Sequence, residues 1–152
     1  GSRYRLSPRI CRLFSKVEAL TAENKGARLI LAVDYGGKWD ITEAAKYFAD
    51  RVADGSMSSD EITPESFEKQ LLIDNLPAPD LCIRTGGDIR LSNFMLWQMA
   101  YTELYFTDVL WPDFDEHNLI KAFSDFSCRE RRFGMRKANI IRVIKDQPRA
   151  PI

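Results

Sequence analysis

The apolar residues of the chain follow two patterns, one typical of helices and one typical of buried strands. Ile10, Leu13, Phe14, Val17 and Leu20 recur every three or four residues, which places them on one helix face that we expect to pack inward. Short continuous apolar runs are typical of strands that are buried on both faces of a parallel sheet. Together the patterns predict helices at 9–20, 40–54, 63–72, 93–99 and 115–129 and strands at 28–33, 80–84 and 103–110.

Residues at the ends of these elements support the boundaries. Asp40 and Glu43 are spaced as in a capping box, and Gly55 is suited to end the helix that they open. Pro64 occupies a first helical position, and Asp115 can cap the last helix. Strands that alternate with helices predict an α/β fold, a parallel sheet flanked by helices. Because three strands are few for this class and both sheet edges need covering, we expect the chain to be part of a larger sheet.

Composition limits the classes of protein to which the chain can belong. Its 152 residues, 45% hydrophobic and 11% aromatic, are enough for one globular domain with a core. The 22 basic and 22 acidic residues cancel, so nothing predicts a general affinity for nucleic acid or membranes, and any anion site must be local. No apolar run is long enough for a bilayer, and no signal peptide opens the chain. Three cysteines without metal-ligand spacing predict buried, reduced thiols in a cytoplasmic protein: Cys11, Cys82 and Cys128.

A strand, a glycine turn, two arginines and a predicted helix start follow one another between residues 80 and 92. Arg84 ends the strand, Gly86 and Gly87 form the turn, and Arg90 and Ser92 come next. Glycines let a backbone approach an anion, helix N–H groups point at it, and arginines bind its oxygens in pairs. A diphosphate is the ligand that best fits so many donors. The pattern alone leaves open that these are two surface arginines beside a loop, with Ser92 a plain N-cap.

Two further polar features lie downstream of the turn. Glu103 begins a strand in an apolar and aromatic neighbourhood, so it is either a solvated strand end or a ligand of Mg²⁺, which usually binds one or two carboxylates together with substrate phosphates. The charged cluster at 129–134 is explained by a helix C-terminus and a glycine stop, or it faces a partner or a phosphate. His117 is the only histidine and has no nearby carboxylate pair, so we expect no catalytic role for it.

Three blocks of the sequence are familiar. The block IRTGGDIRLSNFMLWQMAYTELYFTDVLWPDF closely resembles the signature region of the bacterial undecaprenyl diphosphate synthases, which are cis-prenyltransferases. LAVDYGGKWDI at 31–41 and the Arg-x-Gly element within 129–134 resemble two further blocks of that family. On this resemblance, residues 1–134 are interpreted as the C-terminal part of a single cis-prenyltransferase domain and residues 135–152 as a tail.

The resemblance implies an activity, a cofactor and partners. It implies a homodimer that condenses isopentenyl diphosphate successively onto farnesyl diphosphate, with Mg²⁺, to give undecaprenyl diphosphate for peptidoglycan precursors. The enzyme would be cytoplasmic, peripheral at the inner face of the membrane, and would pass its product to the membrane. The family's residues, carried over by position, are Arg84, Gly86, Gly87, Arg90 and Ser92 for the diphosphate of isopentenyl diphosphate, Glu103 for Mg²⁺, and Arg132 and Gly134 for the substrate phosphates of the partner subunit.

The sequence also departs from the family pattern. Asp34 stands where the family usually has Asn, Lys38 where it usually has Arg, and Ile89 where some relatives have a histidine. An added negative charge at position 34 would weaken phosphate binding if it faced that site. The family's Met-Asp-Gly-Asn-Gly-Arg-Trp type block, which supplies the catalytic Asp, does not occur in the chain. We therefore expect no catalytic residue here and no activity from the chain alone.

Two other classes of function remain as alternatives. The chain could be a non-catalytic subunit or scaffold that uses the cis-prenyltransferase fold for dimerisation, although the intact arginines and glycines of the turn argue against this. A phosphate-binding α/β domain of unrelated chemistry is disfavoured by the length of the motif match.

Overall fold

The computed structural model describes residues 1–74 and 76–130, which fall into two units. Unit 1 comprises Gly1–Pro77 and Leu91–Met99, and unit 2 comprises Ala78–Arg90 and the described residues after Met99. The helices and strands of the described residues are α1 (Pro8–Thr21), α2 (Gly37–Ala53), α3 (Pro64–Glu68), β1 (Leu81–Arg84), β2 (Glu103–Phe106) and α4 (Glu116–Ser127), with short 3-10 helices at Ser59–Glu61 and Trp111–Asp113. None of the helices in these ranges has the length and apolar character that a bilayer crossing would require.

Unit 2 contains a parallel pair of strands. β1 and β2 pair in a register that sets Leu81 opposite Glu103 and Arg84 opposite Phe106. Parallel strands joined by a long crossover, with helices beside them, confirm the predicted α/β class. α4 begins as predicted, because the Asp115 carboxylate accepts a hydrogen bond from the backbone N–H of Asn118 at 2.9 Å. Both strands are present where expected, although β2 ends at Phe106 and not at residue 110.

The core of unit 1 is built on α2. Phe48 of this helix is 3% exposed, and its ring stacks on Phe67, whose ring stacks in turn on Trp97 at a centroid distance of 4.9 Å. α3 begins at Pro64 as predicted, with Thr63 as its cap, but it ends four residues earlier than the sequence pattern indicates. Leu71, which lies beyond the end of α3, is nevertheless buried.

The start of α2 differs from the prediction. The helix begins at Gly37, so Asp40 lies within its first turn and the expected capping box with Glu43 does not form. The first two N–H groups of the helix, those of Gly37 and Lys38, donate to Asn93 from a distant part of unit 1, which takes the place of a local cap. The predicted stop is confirmed, since Gly55 follows the helix with a positive φ of 77°.

The prediction of a strand at 28–33 was wrong. None of the described strands pairs with this run, and Leu29 is 82% exposed. Its apolar composition is suited to a strand that neighbours cover on both faces, but strand pairing is non-local and needs those neighbours to be present.

The apolar face of α1 is likewise not packed inward as predicted. The helix has no buried residue, although Ser7 caps it, and Leu13 is 52% exposed. Periodicity correctly predicted the helix, but it carries no information about what covers the face.

Two further predictions were wrong. The segment 93–99 forms turns and not a helix, because Asn93 and Met95 adopt positive φ angles of 62° and 42° that a right-handed helix does not allow. The three cysteines are free, as expected, but Cys128 is exposed and only Cys11 and Cys82 are partly buried. Burial raises the pKa of the Cys82 thiol, which favours its neutral form.

Candidate functional site

The glycine turn after β1 is closed by hydrogen bonds to the chain that follows β2. Gly86 N–H donates to the carbonyl of Val109 at 2.9 Å, and Gly87 N–H donates to the carbonyl of Thr107 at 3.0 Å. Both glycines have positive φ, 86° and 80°, which explains why glycine is needed at each position. Because their N–H groups are engaged in closing the turn, an anion at this place would be bound by side chains.

Arg84 and Arg90, which both lie in unit 2, meet at one carboxylate. Arg84 Nη2 lies 2.7 Å from Asp88 Oδ2, and Arg90 Nη2 lies 2.6 Å from the same oxygen. Arg84 Nη1 also donates to the backbone carbonyl of Arg90. The two predicted ligand-binding residues are thus brought together around a negatively charged oxygen. Asp88 was missed by the sequence reading, although its position between the two arginines along the chain was a local signal.

Ser92 lies in unit 1 and does not cap a helix. Its φ is 50°, and the segment that follows it consists of turns. The expected helix N–H groups are therefore absent from the described part of the chain at this position. Its assignment to diphosphate binding stays a prediction from the resemblance.

Asn93, the next residue, organises the start of α2. Its backbone carbonyl accepts from Gly37 N–H at 2.7 Å, and its side-chain Oδ1 accepts from Lys38 N–H at 2.8 Å. Gly36 occupies the N-cap position of α2 but has no side chain that could accept a hydrogen bond from these N–H groups. No local sequence pattern could have predicted this cap, because 55 residues separate Asn93 from Lys38.

The unusual carboxylate at position 34 is neutralised within unit 1. Both oxygens of Asp34 accept hydrogen bonds from Arg5, one of them from Arg5 Nε at 3.0 Å. The hydrogen bond from Arg5 lowers the pKa of Asp34, so this carboxyl group is ionised and paired. The negative charge introduced by the departure from the family pattern is thus matched by a local positive charge.

A buried carboxylate ties three segments of unit 1 together. Asp40 is 3% exposed, and it accepts from the Tyr35 hydroxyl at 2.9 Å and from the Leu72 N–H at 3.0 Å. Burial, followed by the hydrogen bond to Asp40, raises the pKa of Tyr35 to about 12. Each carboxylate oxygen of Asp40 has a hydrogen-bond donor, as buried polar groups require, so we assign Asp40 a structural role.

Glu103, the predicted Mg²⁺ ligand, is paired with an arginine. Its Oε2 lies 3.1 Å from Arg129 Nη1, and the same guanidinium donates to the Leu104 carbonyl and, through Nε at 2.9 Å, to Asp125. The hydrogen bond to Glu103 is the main cause of a raised pKa at Arg129. No group of three metal-binding side chains occurs in residues 1–74 and 76–130. Mg²⁺ commonly takes one carboxylate and completes its shell with phosphate oxygens and water, so Glu103 as its ligand stays a prediction from the resemblance.

The remaining predicted positions lie near or beyond the C-terminal end of the described residues. Arg132 and Gly134 lie outside the described residues, as does the tail at 135–152. His117 lies in the first turn of α4.

Comparison with known proteins identifies the family. The profile of the family described as "Putative undecaprenyl diphosphate synthase" matches residues 1–134. The isoprenyl transferase of Neisseria gonorrhoeae is 53% identical over 135 residues, which are 88% of this chain and 52% of that protein. The ditrans,polycis-undecaprenyl-diphosphate synthase ((2E,6E)-farnesyl-diphosphate specific) of Escherichia coli is 48% identical over 134 residues, 88% of this chain and 53% of that protein.

Solved structures give the same result for the fold. The lavandulyl diphosphate synthase from Lavandula x intermedia, crystallised in complex with dimethylallyl diphosphate, matches with a TM-score of 0.84 and 46% identity over 88% of this chain and 58% of its own. A probable undecaprenyl diphosphate synthase from Campylobacter jejuni matches with a TM-score of 0.72 and 33% identity over 88% of this chain and 60% of its own. The chain spans about half the length of the curated relatives it matches. Because the family profile covers residues 1–134 of the 152, this protein belongs to the undecaprenyl diphosphate synthase family of cis-prenyltransferases.

Proposed function

We propose that this chain carries the isopentenyl diphosphate site of a cis-prenyltransferase that builds undecaprenyl diphosphate from farnesyl diphosphate. The observation that supports this most directly is the convergence of Arg84 and Arg90 on one carboxylate oxygen, because two guanidiniums that share an anionic acceptor can also share a diphosphate. The named relatives are prenyl transferases, and one solved neighbour is a complex with a prenyl diphosphate. The full enzyme would be a cytoplasmic homodimer that delivers its product to the membrane for peptidoglycan precursors.

In this proposal the two arginines position the nucleophile. They hold the diphosphate of isopentenyl diphosphate, so that its double bond is directed at the carbon from which the allylic diphosphate departs. The new carbon–carbon bond forms as that carbon–oxygen bond breaks, and loss of a proton restores a double bond. Orientation of this kind lowers the entropic part of the barrier. Glu103 would hold Mg²⁺, which would supply charge neutralisation at the diphosphates.

The remaining family positions complete the proposal. Gly86 and Gly87 would set the conformation that presents Arg84 and Arg90, since their own N–H groups are already engaged. A role of Ser92 in diphosphate binding rests on the family resemblance alone. Arg132 and Gly134 would contact the substrate phosphates of the partner subunit.

A calorimetric titration with isopentenyl diphosphate tests the proposal. We expect saturable binding by the wild-type chain and a Kd raised about tenfold to a hundredfold in Arg84→Ala, since hydrogen bonds to charged groups contribute about 1.5–3 kcal/mol. Arg12→Ala, which removes an exposed positive charge from α1, is the matched control and should bind as the wild type does. Absence of binding by the wild type would refute the proposal and favour the non-catalytic dimerising scaffold.

A further inference from the structure

Asp88 occupies the place in unit 2 where the two guanidiniums converge. Its Oδ2 is within 2.7 Å of Arg84 and 2.6 Å of Arg90, and these are the hydrogen bonds that its side chain makes among the described residues. The side chain of Asp88 is 43% exposed and that of Arg84 is 24% exposed, so water and solutes can reach the contact. Gly86, Gly87 and Arg90 are exposed, and the neighbouring Ile89 is 79% exposed, so most of the turn lies at the surface.

We propose that Asp88 is an internal anion that a bound diphosphate must displace, and that it thereby sets the affinity and selectivity of the arginine pair. The inference rests on the proposed function, because it concerns the same two arginines. Asp88 holds both guanidiniums with a single oxygen, as an external phosphate oxygen would. The carboxylate and the ligand therefore compete for the same donors.

Selectivity follows from the difference in charge. A diphosphate carries several negative charges and many acceptor oxygens, so it replaces one carboxylate with a surplus of charge-assisted hydrogen bonds. A small monoanion such as acetate offers the arginines only what Asp88 already provides. Asp88 therefore excludes weak anions while it admits diphosphates.

A neutral substitution at position 88 tests whether Asp88 competes with a bound anion for the two arginines or instead supports their anion-binding arrangement. Asp88→Asn keeps the size of the side chain and removes its charge. We expect it to bind inorganic pyrophosphate about threefold to tenfold more tightly than the wild type, because the ion pairs to be broken are partly exposed and individually weak. Acetate, which should not compete with pyrophosphate on the wild type, should compete detectably on Asp88→Asn. Asp113→Asn, an equal change of charge at an exposed position that contacts neither arginine, should leave both results unchanged.

The outcomes distinguish this inference from the proposed function. Tighter pyrophosphate binding by Asp88→Asn than by the wild type supports the inference. If the wild type binds and Arg84→Ala does not, but Asp88→Asn binds equally or more weakly, the inference is overturned and the proposed function stands. If none of the variants binds, both are overturned. Circular dichroism of Asp88→Asn identifies any loss of folding. Asp88→Glu retains the charge and should resemble the wild type.

Discussion

Gly86 and Gly87 adopt similar backbone conformations in unequal surroundings. Both have positive φ, but a Cβ added at Gly86 would meet no atom within 4 Å, whereas one added at Gly87 would lie 3.1 Å from Asp108 Oδ1. We therefore expect Gly86→Ala to lower the free energy of unfolding by about 1 kcal/mol through backbone strain alone. Gly87→Ala should cost about 0.5 kcal/mol more, because the Asp108 side chain must shift by a few tenths of an ångström to admit the new Cβ.

Urea unfolding of the two variants measures this difference. Gly26→Ala is the matched control, since Gly26 lacks a positive φ and a Cβ there would also meet no atom within 4 Å. It should be nearly neutral. Equal losses for Gly86→Ala and Gly87→Ala would show that the approach of Asp108 to the turn has no energetic consequence.

Tyr35 makes stability depend on pH in the alkaline range. Its pKa is raised to about 12, chiefly by burial and then by the hydrogen bond to Asp40, whereas an unfolded tyrosine titrates near about 10. The unfolded chain therefore releases this proton first. The stabilising contribution is complete below pH 10 and is lost as the pH rises through about 12.

A comparison of tyrosine variants isolates this effect. We expect Tyr35→Phe to be less stable than the wild type at pH 8, because Asp40 loses a hydrogen-bond donor, and the difference to shrink at pH 11. Tyr4→Phe removes the hydroxyl of a residue that is 95% exposed and is the matched control, whose stability relative to the wild type should not change between the two pH values. Urea midpoints at the two pH values measure the effect, and a constant difference between wild type and Tyr35→Phe would contradict it.

At the residue scale, the sequence predicted the two arginines and two glycines of the turn after β1, but not the carboxylate of Asp88 that both arginines contact. Arg84, Gly86, Gly87 and Arg90 were recognised because each residue type has one dominant use beside an anion. Asp88 was overlooked because a carboxylate argues against an anion site when only composition is considered. Its position between the two arginines was a local signal, but the contact of one carboxylate oxygen with both guanidiniums is visible only in the structure.

Asn93 determines where α2 begins. Its Oδ1 accepts from Lys38 N–H, and its own φ of 62° lies in the left-handed region that Asn tolerates better than most residues. We expect Asn93→Gly, which keeps that conformation but removes the acceptor, to cost about 1 kcal/mol as the loss of a helix cap. Asn93→Ala should cost about 1 kcal/mol more, because alanine adds left-handed strain.

The acceptor and the backbone conformation can be separated by a third variant. Asn93→Asp retains an oxygen at the cap and places a negative charge near the helix N-terminus, so it should remain close to the wild type. Denaturant unfolding followed by circular dichroism at 222 nm gives the order of stability. A variant Asn93→Asp as unstable as Asn93→Gly would rule out the capping role.

At the element scale, predictions succeeded where the signal was local. α1 was predicted from apolar spacing, and α3 and α4 begin beside Thr63 and Asp115 as expected. Each of the three helices has a local cap, which is Ser7 in α1. Failures occurred where the structure depends on distant contacts. The start of α2 depends on Asn93, and the run at 28–33 would need neighbouring strands that the described residues do not contain. The turns at 93–99 replace a predicted helix because apolar periodicity does not report positive φ angles.

At the scale of the whole molecule, the family membership and the length of the match have different consequences. Identity of about half over 88% of the chain is enough to establish the family and its α/β fold. The same matches cover 52% of one relative and 53% of another, so the activity of those proteins does not transfer to this chain as a whole. A two-substrate condensation requires both diphosphates to be bound in a fixed relative geometry, and the proposed arginine pair accounts for one of them.

We therefore expect the 152-residue chain to bind isopentenyl diphosphate without turning it over. With farnesyl diphosphate and Mg²⁺ present, the arginine pair would still hold the nucleophile, but the residues that ionise the allylic substrate would be lacking, so most of the rate enhancement would be lost. Incorporation of radiolabelled isopentenyl diphosphate into butanol-extractable product measures turnover, and the Escherichia coli synthase under the same conditions is the positive control. Incorporation that exceeds background and disappears in Arg84→Ala would refute this expectation, because it would show that one chain of this length contains both substrate sites.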